Sequence, residues 1–202
     1  VTVPVDLADG GTGTTSPESA SGALGDDVAC LVAAQPNFYG QLEPMEELAE
    51  AAHAVGALFV AVVEPTSLAV LAPPGAYGAD LVAAEGQPLG IPASFGGPYV
   101  GLMAARMASV RQMPGRLVGA TRDVQGRKGY VLTLQAREQH IRREKAASNI
   151  STNQALMALA ATVYLAAVGP DGLREVAELS SLQARHVADA LEAAGLAARR
   201  FD

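Results

Sequence analysis

The strongest constraint on the fold is the alternation of two short apolar segments with one amphipathic helix. Residues 28–34 and 58–63 are almost entirely apolar, which is typical of strands buried in a sheet. Between them, Pro44 opens a helical pattern with one apolar face, formed by Leu42, Met45, Leu48, Ala49, Ala52 and Val55. Gly56 fits the end of this helix. Strands joined through a helix run parallel with a right-handed crossover, so the sequence predicts an α/β fold with a mainly parallel sheet.

The rest of the chain adds shorter strands and a helical C-terminal part. Further strands are predicted at 79–83, 99–105 and 130–134. Ser151 and Gln154 fit a capping box, and residues 155–168 are apolar nearly all round, which predicts a buried helix. Residues 171–194 predict an amphipathic helix that ends at Gly195. Residues 9–25 are rich in Gly, Ser and Thr, and they predict a flexible surface connection.

Charge is distributed unevenly along the chain. The net charge is −7, yet no Lys or Arg precedes Arg106, and most basic residues fall between Arg106 and Lys145. Two interpretations stay open: a solvated face with ion pairs, or a lining for an anionic ligand such as a phosphate or carboxylate. A nucleic-acid partner is disfavoured, because the overall charge is negative and no aromatic residues are interleaved with the basic ones.

Composition also limits the location and the kinds of site. Cys30 is the single cysteine, which excludes an internal disulfide and a cysteine-based metal cluster and favours a reducing, cytoplasmic location. It lies in an apolar segment and is interpreted as a small hydrophobe. No apolar run reaches the ~18 to 20 residues that span a bilayer, so no membrane association is expected. His53 and His186, on predicted helices, are interpreted as structural or surface residues.

Three stretches resemble one family closely. They read AAQPNFYGQLEPMEELAEAAHAVGALF, EGQPLGIPASFGGPYVGLMAAR and VRQMPGRLVGATRDVQGRKGYVLTLQAREQHIRREKAASNISTNQAL. From about residue 28 to 178 the chain is similar to subunit 1 of the two-chain P-protein of the glycine cleavage system. That resemblance implies a fold type I PLP-dependent transferase architecture, truncated here at both ends because the family chain is much longer. Residues 1–168 would belong to its large domain, and residues 169–202 would begin the small C-terminal domain.

The resemblance also implies an activity and its partners. In this family, glycine loses its carboxylate as CO₂, and the aminomethyl group passes to the lipoyl arm of the H-protein. Subunit 2 holds PLP covalently, and the two subunits form a heterotetramer. Two alternatives stay open: a non-catalytic scaffold that stabilises subunit 2, and a self-sufficient PLP aminotransferase or lyase that uses Lys145.

The lysines test where the cofactor is held. A Schiff base needs a lysine amine, usually in a Gly-rich loop after a strand of the sheet, and this chain has only Lys128 and Lys145. The resemblance to the catalytic paralogue places Gln87 where that lysine would be. The strand at 58–63 also ends without the Asp that usually faces the pyridine nitrogen, although Glu64 is one residue away. PLP is therefore expected on the partner subunit.

A polar segment supplies the candidate site residues. The candidate catalytic residues are Arg137, His140, Arg142 and Arg143, beside Lys145, and the candidate cofactor-binding residues are Asn149, Thr152, Asn153 and Gln154. Arginine would bind a carboxylate or phosphate, and the helix start would add hydrogen bonds. The alternative is a helical turn with an ion pair between Glu138 and Arg142. A metal site at Glu138, His140 and Glu144 is disfavoured by the surrounding cations. Ala147 and Ser151 replace the Thr and Cys that the family usually has there.

Overall fold

The computed structural model describes residues 11–148 and 154–196. Its helices are α1 (Pro17–Ala23), α2 (Met45–Ala54), α3 (Gln139–Arg142) and α4 (Ala155–Ala193), and its strands are β1 (Cys30–Gln35), β2 (Leu58–Val63), β3 (Leu81–Glu85), β4 (Gly101–Ala105), β5 (Leu117–Arg122) and β6 (Lys128–Thr133). Short 3₁₀ turns lie at Ser67–Ala69, Met107–Ser109, Gln135–Arg137 and Arg143–Lys145. The chain divides into two compact units, one of residues 105–153 and one of the remaining residues. The predicted domain boundary at residue 169 stays a prediction.

The first unit is built on a four-stranded sheet in the order β1-β2-β3-β4. β1 pairs with β2 in parallel, with Cys30 opposite Leu58, and β2 pairs with β3 in parallel, with Val60 opposite Leu81. α2 connects β1 to β2, and its residues Met45, Leu48, Ala49 and Ala52 are buried. The core joins this helix face to Phe59, Ala61 and Val63 of β2. The predicted parallel sheet with one covering helix is confirmed.

The prediction of a buried strand at residues 28–34 is wrong in its burial. β1 is the edge strand, and its residues alternate between half-buried and exposed. Leu31 and Ala33 pack against the core, whereas Val32 on the opposite face is 57% exposed. Cys30, interpreted as a small hydrophobe inside an apolar strand, is exposed. β2 alternates in the same way, which shows that among the described residues only one face of the sheet is covered.

A short helix replaces part of the predicted flexible connection. α1 begins after Ser16, whose Oγ accepts a hydrogen bond from the Ser19 amide at 3.1 Å. Pro17 occupies the first helical position and Glu18 the first turn, both favourable at a helix start. Ala20 is fully buried. These capping signals determined the local structure, although the segment is rich in Gly, Ser and Thr.

A buried carboxylate ties the segment before α1 to the loop before α2. Glu43 is 7% exposed, and its Oε2 accepts from the Thr15 amide at 2.8 Å while its Oε1 accepts from Asn37 Nδ2 at 2.8 Å. Asn37 Nδ2 also donates to the Gly13 carbonyl oxygen at 2.8 Å. The hydrogen bonds from Thr15 and Asn37 to the Glu43 carboxylate offset the cost of burying its charge.

The two predicted C-terminal helices form one helical element with a break. Within α4, Gly169 adopts φ 64° and ψ −175° directly before Pro170, and Gly195, with φ 77°, follows the helix end as predicted. Gln154 is the N-cap and makes no side-chain capping bond, so the predicted capping role of Gln154 is wrong. Ser151 lies outside the described residues.

The prediction that residues 155–168 are buried is also wrong for this chain. Ala161 and Ala177 are the buried residues of α4, and apolar side chains such as Leu156, Leu159 and Val163 are exposed. An 18-residue window of α4 has a mean hydropathy of 1.5, so by length and composition one described helix could cross a membrane. The expectation that no such stretch exists therefore needs correction. The core helix of a soluble protein has the same composition.

A basic cavity as the candidate functional site

The unit of residues 105–153 contains an antiparallel hairpin of β5 and β6, with Leu117 opposite Thr133 and Arg122 opposite Lys128. Asp123 closes its turn, because its carboxylate accepts from the Arg127 and Gln125 amides at 2.9 Å and from Arg127 Nε at 2.7 Å. The backbone and side-chain hydrogen bonds from Arg127, more than that from Gln125, hold the pKa of Asp123 below its ordinary value. The Asp123 carboxylate is thus bonded within the hairpin turn, and the polar segment follows β6.

The polar segment after β6 has an unusual backbone. Leu134 adopts φ 54° and ψ 29°, and Arg143 adopts φ 54° and ψ −122°. Residues other than glycine rarely occupy positive φ, and such positions are typical of functional sites. Between them lie the turn Gln135–Arg137 and the four-residue α3, so the predicted helical turn is present only as short pieces.

Basic side chains from two parts of this unit line one cavity of about 520 Å³. Its lining residues are Arg111, Gln112, Leu134, Ala136, Arg137, Arg142, Lys145 and Ala147. Arg137 Nη2 donates to the Gly115 carbonyl oxygen at 2.8 Å, and Arg142 Nε donates to the Ala136 carbonyl oxygen at 3.0 Å. These bonds to backbone carbonyls fix both guanidinium groups without neutralising them.

The predicted set of candidate residues is therefore divided. Arg137 and Arg142 line the basic cavity, whereas His140 lines a separate cavity of about 280 Å³ with Arg116 and Glu138. Arg143 is in the lining of neither. The alternative ion pair between Glu138 and Arg142 is wrong, since the Glu138 carboxylate instead lies 3.9 Å from Arg137 Nη2. Asn149, Thr152 and Asn153 lie outside the described residues.

Arg111 and Gln112 are lining residues that sequence reasoning missed. They precede the hairpin, more than twenty residues before Arg137, and reach the cavity only because the chain folds back. The concentration of basic residues after Arg106 was the available signal. This concentration of basic residues indicated the part of the chain that forms the cavity, but not which side chains line it.

The loop after β3 is held by its own hydrogen bonds. Gln87 Nε2 donates to the Ile91 carbonyl oxygen at 2.7 Å, and the Gln87 and Val100 amides both donate to Glu85 Oε1 at 3.0 and 3.1 Å. Glu64, after β2, accepts from the Thr66 amide through Oε1 at 3.0 Å and from the Ser67 amide through Oε2 at 2.6 Å. The side chains of Gln87 and Glu64 are thus both hydrogen-bonded to nearby backbone groups.

These residues do not fit a covalent PLP site. Lys128 lies on the hairpin, 5.3 Å above the Tyr130 ring, and Lys145 lines the basic cavity, so neither follows a strand of the four-stranded sheet. The Gln87 side chain is a carboxamide, which forms no imine. Both oxygens of the Glu64 carboxylate already accept hydrogen bonds from backbone amides of the turn after β2. Among the described residues, nothing supplies both a Schiff-base amine and a carboxylate for the pyridine nitrogen.

The remaining reactive residue types have structural roles or are isolated. His53 Nε2 lies 2.8 Å from Asp80 Oδ2, which also accepts from the Phe59 amide at 2.9 Å. This supports the structural interpretation of His53. His186 is exposed on α4. Across residues 11–148 and 154–196, no group of His, Cys, Asp and Glu is arranged to hold a metal ion.

A family model and individual proteins of known name both match this chain, and their names describe the same enzyme system. The family model described as glycine cleavage system P-protein matches residues 11–201. The probable glycine dehydrogenase (decarboxylating) subunit 1 of Moorella thermoacetica is 56% identical over 181 residues, which cover 90% of this chain and 41% of the relative. The corresponding protein of Thermomicrobium roseum is 58% identical over 173 residues, 86% of this chain and 39% of the relative. The chain thus spans about two fifths of the length of these relatives.

Comparison with solved structures leads to the same family. A glycine decarboxylase (P-protein) of the glycine cleavage system, in inhibitor-bound form, superposes with a TM-score of 0.83 at 54% identity, over 95% of this chain and 41% of that one. A sphingosine-1-phosphate lyase of Burkholderia pseudomallei shares the fold, with a TM-score of 0.55 at 16% identity, over 88% of this chain and 38% of that one. The expected α/β fold of fold type I PLP-dependent enzymes is confirmed. Because a family model covers almost the whole chain and relatives exceed 50% identity, the chain belongs to the glycine cleavage system P-protein family.

Proposed function

We propose that this chain acts as part of subunit 1 of a glycine dehydrogenase (decarboxylating), an oxidoreductase subunit that completes its active site only with subunit 2. The observation that carries the proposal is the 56% identity to a protein with that name over 90% of the chain. In the proposed reaction, glycine loses its carboxylate as CO₂ and its aminomethyl group passes to the lipoyl arm of the H-protein. The complex is proposed to act in the cytoplasm.

PLP is proposed to be held covalently by subunit 2. When bound there, the cofactor would supply the electron sink that decarboxylation of an amino acid needs. Three observations support this assignment: the engagement of Gln87 with Ile91, the position of Lys128 on the hairpin and the position of Lys145 among arginines. This chain would contribute polar side chains across the subunit boundary rather than the cofactor-binding lysine.

The proposed contribution to the shared site comes from His140, Arg143 and the start of α4. The amide and hydroxyl side chains of Asn149, Thr152, Asn153 and Gln154 would donate hydrogen bonds there, and the helix start would favour an anion. Arg137 and Arg142, the other candidates, line the basic cavity.

Reconstitution of the full-length subunits tests this function. We expect release of CO₂ from carboxyl-labelled glycine only when both subunits and lipoylated H-protein are present. Asn153→Ala in subunit 1 should lower the rate roughly ten- to a hundredfold, because a hydrogen bond to a charged group is lost. Gln125→Ala, an exposed amide in the hairpin turn, is the matched control and should keep the full rate.

Two further readouts separate the alternatives. Size-exclusion chromatography should show that Asn153→Ala still assembles with subunit 2, and an unchanged rate in this variant would favour the scaffold. Borohydride reduction followed by peptide mapping should place the pyridoxyl label on subunit 2. Stoichiometric label on Lys145 would instead support a self-sufficient PLP enzyme.

A further inference from the structure

The basic cavity concentrates positive charge to a degree that the proposed function does not require. Four cationic side chains line it, those of Arg111, Arg137, Arg142 and Lys145, and none of the described lining residues is acidic. Its volume of about 520 Å³ lies within the ~300–1,000 Å³ range of small-molecule sites. Like charges that share one cavity repel each other, so the arrangement costs stability unless an anion enters.

Arg137 is the most buried of the four cations. Its side chain is 11% exposed, and its Nε and Nη1 are buried without a hydrogen-bond partner among the described residues. Nη2 is bonded to the Gly115 carbonyl oxygen, and its nearest carboxylate oxygen, Glu138 Oε1, is 3.9 Å away. A guanidinium group removed from water needs close opposite charge, and one carboxylate oxygen at 3.9 Å supplies only part of it.

Two strained backbone positions flank the segment that carries these cations. Leu134, in the cavity lining, and Arg143, between Arg142 and Lys145, both have φ 54°. Positive φ at residues other than glycine persists only where the surroundings hold it. Arg137 and Arg142 lie between these two positions and Lys145 just after them, and all three line the same cavity.

We infer that this cavity binds an oxyanion that carries two or more negative charges, of the phosphate or pyrophosphate class, separately from PLP. Arginine forks and a lysine ammonium bind the several oxygens of such a group. Glycine is a poor match, because its ammonium group would be repelled by four cations. A simple carboxylate offers one negative charge against four positive ones. The site goes beyond the proposed function, which needs no free oxyanion.

Calorimetric titration of the PLP-loaded complex of full-length subunits 1 and 2 tests the site, with inorganic pyrophosphate as the probe. We expect one saturable site per subunit 1 and no comparable binding of acetate at equal ionic strength. Arg142→Gln and Lys145→Gln should each weaken pyrophosphate binding roughly tenfold or more, as expected for one lost charge-assisted hydrogen bond. Both side chains are exposed, so neither substitution empties the core.

Matched controls come from the hairpin of the same unit. Arg122, like Arg142, is exposed and bonds one backbone carbonyl, that of Gly126 at 2.7 Å, and Lys128 matches Lys145. Arg122→Gln and Lys128→Gln should leave pyrophosphate affinity within about twofold, because exposed charges outside the cavity contribute little. Equal losses in these controls, or absence of saturable pyrophosphate binding to the complex, would overturn the inference. Because the readout is binding, it stands or falls independently of glycine turnover.

Discussion

Tyr77 places a hydroxyl group in the core of the first unit without a partner. Its ring meets Phe59 edge to face, with centroids 6.4 Å apart, and packs against the core. Its Oη is buried and has no hydrogen-bond partner among the described residues. Burial raises the pKa of Tyr77 above its ordinary value of 10.0. The ring therefore stabilises the fold while the hydroxyl group costs free energy.

Tyr77→Phe should keep or raise the free energy of unfolding of full-length subunit 1, by up to about 1 kcal/mol, because an unsatisfied polar group is removed and the ring is kept. The effect should grow at alkaline pH. Because the pKa of Tyr77 is raised in the folded state, its neutral form does not make the free energy of unfolding depend on pH below pH ~10. Above pH ~10 the hydroxyl group ionises more readily in the unfolded state, so the free energy of unfolding of the parent protein falls as the pH rises. Urea denaturation at neutral pH and above pH ~10 measures both effects.

Tyr39→Phe provides the control for the tyrosine substitution. Tyr39 is exposed at 42%, so its replacement should leave the alkaline loss of stability as it is in the parent protein. If Tyr77→Phe instead lowers stability by more than about 1 kcal/mol at neutral pH, its hydroxyl group has a partner in the full-length protein.

The role of a single residue was predictable from the sequence where the chemistry of its side chain is enough to determine that role. A carboxamide at Gln87 excludes a Schiff base whatever its surroundings, and its bond to Ile91 agrees with a structural role. The division of Arg137 and His140 between two cavities was not predictable, because it follows from the tertiary path of the segment after β6, in which Leu134 adopts φ 54°. Leucine has no sequence preference for positive φ, so only tertiary structure reveals that turn.

At the scale of elements, the loop between β3 and β4 approaches α4 very closely. Gly90 has φ 80°, and a Cβ atom there would lie 2.8 Å from Cβ and Cγ of Tyr164 on α4. A side chain is therefore disfavoured at this position twice, by the positive φ and by the contact with Tyr164. Gly90 is needed for the loop and the helix to pack together.

Gly90→Ala should lower the free energy of unfolding of full-length subunit 1 by about 1–3 kcal/mol, because it adds backbone strain and overpacks the contact with Tyr164. Gly75→Ala is the matched control. Gly75 has ordinary φ, and a Cβ atom added there would have no neighbouring atom within 4 Å, so a change within about 0.5 kcal/mol is expected. Urea denaturation compares the two, and equal losses would contradict the proposed contact.

The elements themselves were predicted to different degrees. The strand at 58–63 was predicted with its observed bounds, and the strands at 28–34 and 79–83 with shifts of one or two residues. Apolar runs identify such strands well, yet they do not reveal that β1 lies at the sheet edge. α1 was missed because its Ser16-Pro17-Glu18 start is embedded in a segment whose composition is typical of loops.

At the scale of the whole molecule, large apolar surfaces remain uncovered. Along α4, Leu156, Leu159 and Val163 are exposed before the break at Gly169, and Leu179 and Leu182 are exposed after it. The face of the sheet opposite α2 is also open, as the exposure of Val32 shows. Contiguous apolar surface of this kind is typical of regions that other parts of a protein or complex cover.

This chain, expressed by itself, should bind a hydrophobic dye and self-associate, because α4 and the open sheet face present apolar surface to water. Full-length subunit 1 in complex with subunit 2 should bind far less dye per chain. Leu156→Gln with Leu182→Gln should reduce dye binding by the chain, whereas Glu175→Gln, an exposed substitution on the same helix, should not. Analytical ultracentrifugation and dye fluorescence measure both properties. A cooperative thermal transition of a monomer without dye binding would contradict this prediction, because it would mean that the apolar faces of α4 and the sheet cover each other in solution.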